Sequence, residues 1–290
     1  MKKRGVVYLN GRCVREDKAL VSVFDRGFTY GDGLFETMKA QAGSVAFKKE
    51  HLARLKKGIR ALRINISAIK PLFDDINNGA LEALLEKNRL DNACASLRIS
   101  VTRGVSDQWQ GHAPSPSCRP TTVITTKPID AKAIALCQKQ GVAAVYITGY
   151  APLTAGIKSL NFLPNVLGKG EAIRRGAMEG IFIGKDGLIS EGTSSNLFIV
   201  KDNVLKTPLS GPGAALPGIM AAKVHQAAAR LDIMVKVSRI RASDLESADE
   251  SFITNSILEV VPLIRIEKKT ISNAKRGALT ALIQKHMGLP

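Results

Sequence analysis

Apolar residues recur along the chain in two rhythms, and each rhythm predicts an element. Val6-Val7-Tyr8-Leu9 is broken by Asn10-Gly11, the strongest hairpin dipeptide, and answered by Arg12-Cys13-Val14, so two short strands open the chain. The glycine-punctuated stretch Asp25–Gly33 reads as turns and leads into Leu34–Ala40, which alternates enough for a strand. Between Lys48 and Arg63, Leu52, Leu55, Ile59 and Leu62 fall at three- and four-residue steps, the period of an amphipathic helix with a solvated basic face. Residues 68–89 predict a second helix with a break near Asn77-Asn78-Gly79, and Ala95–Gly104 predicts a strand. Residues 105–120, rich in Gly, Pro, Ser and Gln and holding the only tryptophan, Trp109, predict a mobile loop or lid. Arg119–Pro128 reads as a strand and linker.

Beyond that point strands alternate with helices. Strands are expected at 142–146, 178–183, 197–200, 234–237 and 252–253. Helices are expected at 163–176, after Pro217 (with Ile219, Val224, Ala227, Ala228 and Leu231 on one side) and at 279–286. The organisation expected is a small N-terminal domain over 1–120, a linker over 121–128 and a larger domain over 129–290.

Composition narrows the class. A hydrophobic content of 45% with mean hydropathy near zero fits a soluble globular protein, and no apolar run is long enough to span a bilayer. The basic start is cut short by Asn10-Gly11-Arg12 and does not read as a signal peptide, so a cytoplasmic location is expected. Cys13, Cys94, Cys118 and Cys137 lie far apart with no metal-binding spacing and read as reduced packing residues. The net charge of +17 raises nucleic-acid binding as an alternative of a different class, which a salt-dependent DNA shift and a colourless preparation would favour. Against it, the basic residues are dispersed, aromatics make up only 5% and no recognition motif is present; a positive field also attracts carboxylate substrates.

Candidate chemistry gathers in the second half. Gly156–Asn165 holds one lysine, Lys158, among small and apolar residues, a setting that disfavours the ammonium and leaves an amine able to attack a carbonyl. Leu188–Phe198 carries Glu191 at the mouth of a polar turn, Leu216-Pro217-Gly218-Ile219-Met220 reads as the start of a helix, and Phe252–Ser256 is a strand running into hydroxyls. An amine, a carboxylate for a ring nitrogen, and amides and hydroxyls for a phosphate are what a phosphorylated pyridine aldehyde requires.

Together with the early Tyr30-Gly-Asp-Gly-Leu-Phe-Glu-Thr, these motifs make the chain resemble the class IV (fold type IV) pyridoxal-phosphate enzymes, from about Tyr8 to Ile266 and in the family's order. That family includes branched-chain and D-amino-acid aminotransferases and aminodeoxychorismate lyases. The resemblance implies a two-domain α/β (α+β) fold, with a small N-terminal α/β domain and a larger domain built on a barrel-like sheet, assembled as a homodimer. It implies that Lys158 carries pyridoxal 5'-phosphate as a Schiff base and moves the proton, while Glu191 keeps the ring nitrogen protonated. His51-Leu-Ala-Arg54-Leu matches the family's His-x-x-Arg-Leu, whose arginine binds the cofactor phosphate. Further cofactor contacts are expected from Ile219, Met220, Asn255 and Ser256, and substrate contacts from Phe35, Thr37, Arg98 and Tyr30; no metal is expected. The partners implied are an α-amino acid and a 2-oxo acid, with no nucleic acid and no membrane.

Several positions depart from the aminotransferase pattern. Met220 stands where a threonine is usual, Ala221 where an arginine follows, and Phe162 where branched-chain enzymes often place a tyrosine. The Arg-x-His pair of D-amino-acid aminotransferases is missing, which leaves Arg98, Arg103 or His112 as candidates for a carboxylate. Gly218-Ile-Met, Thr254-Asn-Ser and Thr37 look more like the lyase, whereas Lys158-Ser-Leu-Asn and Glu191-Gly-Thr-Ser-Ser-Asn are closer to the aminotransferases. The aminotransferase reading leads, with 4-amino-4-deoxychorismate lyase, releasing pyruvate and 4-aminobenzoate, as the alternative.

Overall fold

The structure is a computed structural model that describes residues 5–106, 112–149, 156–211 and 214–287. Trp109 and the centre of the expected lid lie outside the described residues. The chain divides into two compact units, the first running to Asp130 and taking in Lys158–Asn161, the second holding Ala131–Ile157 and the residues from Phe162 onward.

In the first unit, in chain order, are β1 (Val6–Leu9), β2 (Arg12–Arg15), α1 (Arg26–Tyr30), β3 (Gly33–Gln41), β4 (Ser44–Val45) and α2 (Lys48–Ala61). They are followed by α3 (Lys70–Asn77), α4 (Ala80–Lys87), β5 (Cys94–Val105) and β6 (Arg119–Pro128). The strands form one antiparallel six-stranded sheet in the order β2-β1-β6-β5-β3-β4. Residues 121–128 thus run inside the sheet, in the strand between β1 and β5. One face carries Leu34, Met38, Leu97, Ile99, Val101 and Ile124, all buried, together with Leu52, Leu55 and Ile59 of α2. The period of two therefore turns Phe35, Thr37, Arg98 and Ser100 to the opposite face. The expected second helix is broken into α3 and α4 at Asn78-Gly79, where Gly79 has φ +89°. A bond from Tyr8 Oη to Asp75 at 2.7 Å pins α3 to β1. The turn-like stretch before β3 contains a helical turn, α1, because Asp25 accepts the N–H of Gly27 and caps it.

In the second unit are α5 (Ala131–Gln140), β7 (Val142–Ile147), α6 (Leu163–Arg174), β8 (Glu179–Ile183), β9 (Leu188–Gly192), β10 (Asn196–Lys201), β11 (Val204–Thr207) and α7 (Ile219–Arg230). They are followed by β12 (Val235–Val237), β13 (Ile240–Arg241), α8 (Ala242–Glu246), β14 (Glu250–Asn255), β15 (Glu259–Ile266), β16 (Lys269–Thr270) and α9 (Ala278–Lys285). The sheet runs β12-β11-β10-β14-β15-β7-β8-β9-β13, with β16 paired to β15. It is a long mixed sheet whose central strands are covered on both faces. Val142, Ile181, Leu197, Ile253, Val261 and Leu263 fill one side, and Val145, Ile147 and Phe182 meet Ala172 of α6 on the other. Beneath α7, Phe198 and Phe252 are fully buried and stacked at 5.0 Å, each contributing roughly 2–3 kcal/mol by burial. Among the elements that periodicity did not reveal are the short strands β9 and β11, the helix α5, in which only Ile134 is buried, and β15, interrupted in sequence by Pro262. Among the described residues no helix is long and apolar enough to cross a membrane.

Candidate active site

In the first unit Lys158 extends the sheet beside β3. Its carbonyl accepts the Phe35 N–H at 3.0 Å, Leu160 N–H donates to Gly33 at 2.9 Å, and Ser159 forms an antiparallel bridge with Leu34. The lysine backbone is therefore held as strand. Its Nζ lies 4.5 Å from the centroid of the Phe35 ring, and the Arg98 guanidinium carbon lies 3.7 Å from the same centroid. Thr37 sits opposite Arg98 in the β3–β5 register, so both side chains occupy the Phe35 face. Burial lowers the Arg98 pKa from its ordinary value, and among the described residues no carboxylate pairs with it. The structure thus brings Lys158, Phe35, Thr37 and Arg98 together.

Arg54 lies on the other face of β3. Its Nε and Nη2 donate to the two oxygens of Glu36 at 2.8 and 2.7 Å, and His51 Nδ1 meets Glu36 Oε2 at 2.8 Å. Burial pushes the Glu36 carboxyl up, but the bonds and charges of Arg54 and His51 outweigh it and hold the pKa at about 2. Two of the five guanidinium donors are thereby committed. Tyr30 stands apart at the end of α1, its ring against His112 at 5.4 Å and the Arg26 guanidinium at 4.8 Å. Arg103 is engaged structurally, donating to Asp32 and to the carbonyls of Leu62 and Arg63.

In the second unit Glu191 lies within β9, one step before the polar turn, and is 8% exposed. Its Oε2 accepts the N–H of Leu216 at 2.9 Å, while Asn196 donates to the Leu216 carbonyl at 2.8 Å. These two bonds fix the chain just ahead of α7. Gly218 is the N-cap of that helix, no side chain caps it, and a Cβ there would lie 1.9 Å from Asn196 Oδ1. Ile219 and Met220 are buried, so the first turn offers backbone amides and a positive dipole end rather than a hydroxyl. Ala221 lines a cavity of about 30 Å³ with Ser190, Asn196 and His225. Asn255 Oδ1 accepts from Ile257 and Leu258 at 2.9 and 2.8 Å, so it shapes the turn that carries Ser256.

Four buried polar residues take roles here that the sequence pattern does not state. Glu179, 1% exposed, accepts from the hydroxyls of Thr193, Ser194 and Ser195 and holds the turn after Glu191. Glu36 and His51 were seen only as motif letters. Thr254, 1% exposed and paired in register with Asn196, has a hydroxyl without a partner among the described residues. The available signal was an isolated acid inside an apolar strand, as in Leu34-Phe35-Glu36 and Met178-Glu179-Gly180, which requires donors from elsewhere.

Each unit by itself holds groups of the kind a phosphorylated pyridine aldehyde requires: the first an amine and guanidinium groups, the second a buried carboxylate and a helix N-terminus with no side-chain cap among the described residues. No group of His, Cys, Asp and Glu among the described residues could hold a metal ion. The family profile described as amino-transferase class IV matches residues 33–266. A putative branched-chain-amino-acid aminotransferase of Methanocaldococcus jannaschii is 36% identical over 278 residues, covering 94% of this chain and 92% of the relative. An aminodeoxychorismate lyase of Bacillus subtilis is 29% identical over 277 residues, covering 96% and 92%. The crystal structure of Escherichia coli branched-chain amino acid aminotransferase superposes with a TM-score of 0.85 at 30% identity, covering 98% of this chain and 93% of that one.

Proposed function

Since the chain belongs to the amino-transferase class IV family, a pyridoxal-phosphate-dependent group, we propose that it moves an amino group between an α-amino acid and a 2-oxo acid with Lys158 as the working amine. The observation that carries this reading is the clamp of Lys158 onto β3, with Nζ 4.5 Å from the Phe35 ring on the face that also bears Arg98. When bound, pyridoxal phosphate supplies the electron sink and the carbon that carries the amino group between substrates. Lys158 Nζ would hold the cofactor and, once displaced by the substrate amine, would move a proton from the substrate α-carbon to the cofactor carbon that takes the amino group. Glu191 keeps the proton on the ring nitrogen. Arg54, the amides of Ile219 and Met220 and the Ser256 hydroxyl bind the phosphate, and Asn255 shapes the turn beneath Ser256. Arg98 orients a substrate carboxylate, while Phe35 and Thr37 border the substrate and exclude water; Tyr30, set apart against His112 and Arg26, has no direct part in this reading.

The reading extends to a homodimer in the cytoplasm. Leu20, Val23, Phe24 and Phe28 are 79, 63, 74 and 75% exposed along one short stretch, an apolar surface that a second copy would cover. The net charge of +17 serves carboxylate-bearing substrates in this reading, rather than nucleic acid. A second reading, 4-amino-4-deoxychorismate lyase, is favoured by the 29% identity to such a lyase over 96% of the chain.

One set of spectra tests both. The cofactor band of the purified protein is recorded before and after D-alanine, L-leucine, L-glutamate and aminodeoxychorismate. Conversion to the pyridoxamine form by an amino acid supports the aminotransferase and names its hand; a band that persists with amino acids, with pyruvate and 4-aminobenzoate released from aminodeoxychorismate, supports the lyase. Borohydride reduction should fix the cofactor to the peptide containing Lys158, and Lys158→Ala should abolish both fixation and turnover. Fixation at another lysine would overturn the assignment.

A further inference from the structure

We propose that Glu36 is a positioning residue for Arg54, and that through β3 it sets the place of the phosphate-binding guanidinium relative to the backbone of Lys158. The inference rests on the reading of Arg54 as a phosphate ligand. Glu36 is 1% exposed and accepts two bonds from Arg54 and one from His51, the donors that hold its charge in that interior. His51 and Arg54 lie three residues apart on one face of α2, so a single carboxylate reaches both. A guanidinium gripped along its Nε–Nη2 edge has its plane and direction fixed, and its remaining donors point away from the carboxylate. A free arginine would have to be ordered each time it met a phosphate.

The strand makes the link. The residue before Glu36 gives its N–H to the Lys158 carbonyl at 3.0 Å, and side chains of successive strand residues leave on opposite faces. One peptide step thus connects the lysine, on the Phe35 side, to the arginine, on the Glu36 side. Rigid strand backbone carries a spacing that flexible side chains alone cannot keep. Glu36 touches neither cofactor nor substrate in this arrangement and acts through Arg54.

The test compares binding of pyridoxal phosphate and of pyridoxal, which lacks the phosphate, to the full-length apoprotein. Glu36→Gln should weaken pyridoxal phosphate on the order of tenfold, the scale seen when residues that orient a ligating side chain are removed, and leave pyridoxal nearly unchanged. Glu36→Asp, which keeps the charge with a shorter reach, should fall between; it also serves should the Gln variant not fold. In the double variant with Arg54→Lys, the Glu36→Gln effect should vanish, because the group it positions is gone. Equal losses for both ligands, or a loss that adds fully to that of Arg54→Lys, would overturn the positioning role. A pyridoxal phosphate preference that survives Arg54→Lys unchanged would instead sink the phosphate reading of Arg54 itself.

Discussion

Acid should act on this protein through Glu36. The carboxyl is held at about 2 in the folded chain against an ordinary value of 4.5, in a site 1% exposed. A depressed folded-state value means that the ionised group contributes stability above pH 4.5 and that this contribution disappears as pH falls towards 2. At roughly 1.4 kcal/mol per pH unit, the contribution is about 3 kcal/mol near neutrality and about 1.4 kcal/mol near pH 3. Removing one partner of a buried ion pair costs about 3–5 kcal/mol in general, so the two scales agree. Urea unfolding of the wild-type and Glu36→Gln apoproteins, followed by tryptophan-independent far-ultraviolet dichroism, should therefore give a gap of about 3 kcal/mol near pH 7 that shrinks by half or more near pH 3. Because the gap is a difference between two chains alike in every other carboxyl, the remaining acids cancel. A gap of the same size at both pH values would refute the reasoning, since it would mean that the lost stability comes from packing and not from ionisation.

Glu191→Gln should retain cofactor, because its oxygen still accepts from Leu216, yet slow turnover roughly a hundredfold; a wild-type rate in a yellow protein would refute its role at the ring nitrogen. Gly218→Ala should weaken cofactor binding and lower the thermal midpoint, since its φ of −71° is ordinary and the fault lies in a Cβ 1.9 Å from Asn196 Oδ1. Asn196→Ala in the same chain should then recover part of the thermal midpoint, and no recovery would mean that the clash is elsewhere. Thr254→Val should raise the apoprotein's stability by about 1 kcal/mol in a thermal melt, because it removes a buried hydroxyl that has no partner among the described residues; a fall of that size would reveal a bond to that hydroxyl.

Periodicity and motif order alone determined a great deal. Leu52, Leu55 and Ile59 named the buried side of α2, Asn78-Gly79 marked the break before α4, and the ordered set around Lys158, Glu191 and Leu216–Met220 named the family and its cofactor chemistry. These features are local: a helix repeats every few residues, and a motif is read from adjacent letters. What tertiary structure decided is the company of each charged side chain. Nothing in Leu34-Phe35-Glu36 states that the acid faces inward to Arg54 and His51 while the phenyl ring faces Lys158, because that depends on which strand and helix pack beside it. The same holds for Arg103, a candidate substrate ligand by its letters but spent on Asp32 and two carbonyls. It holds for β15 too, whose Pro262 argues against a central strand until β14 and β7 are seen on either side. Burial and pairing are sums over residues distant in the chain, and a one-dimensional pattern does not carry them.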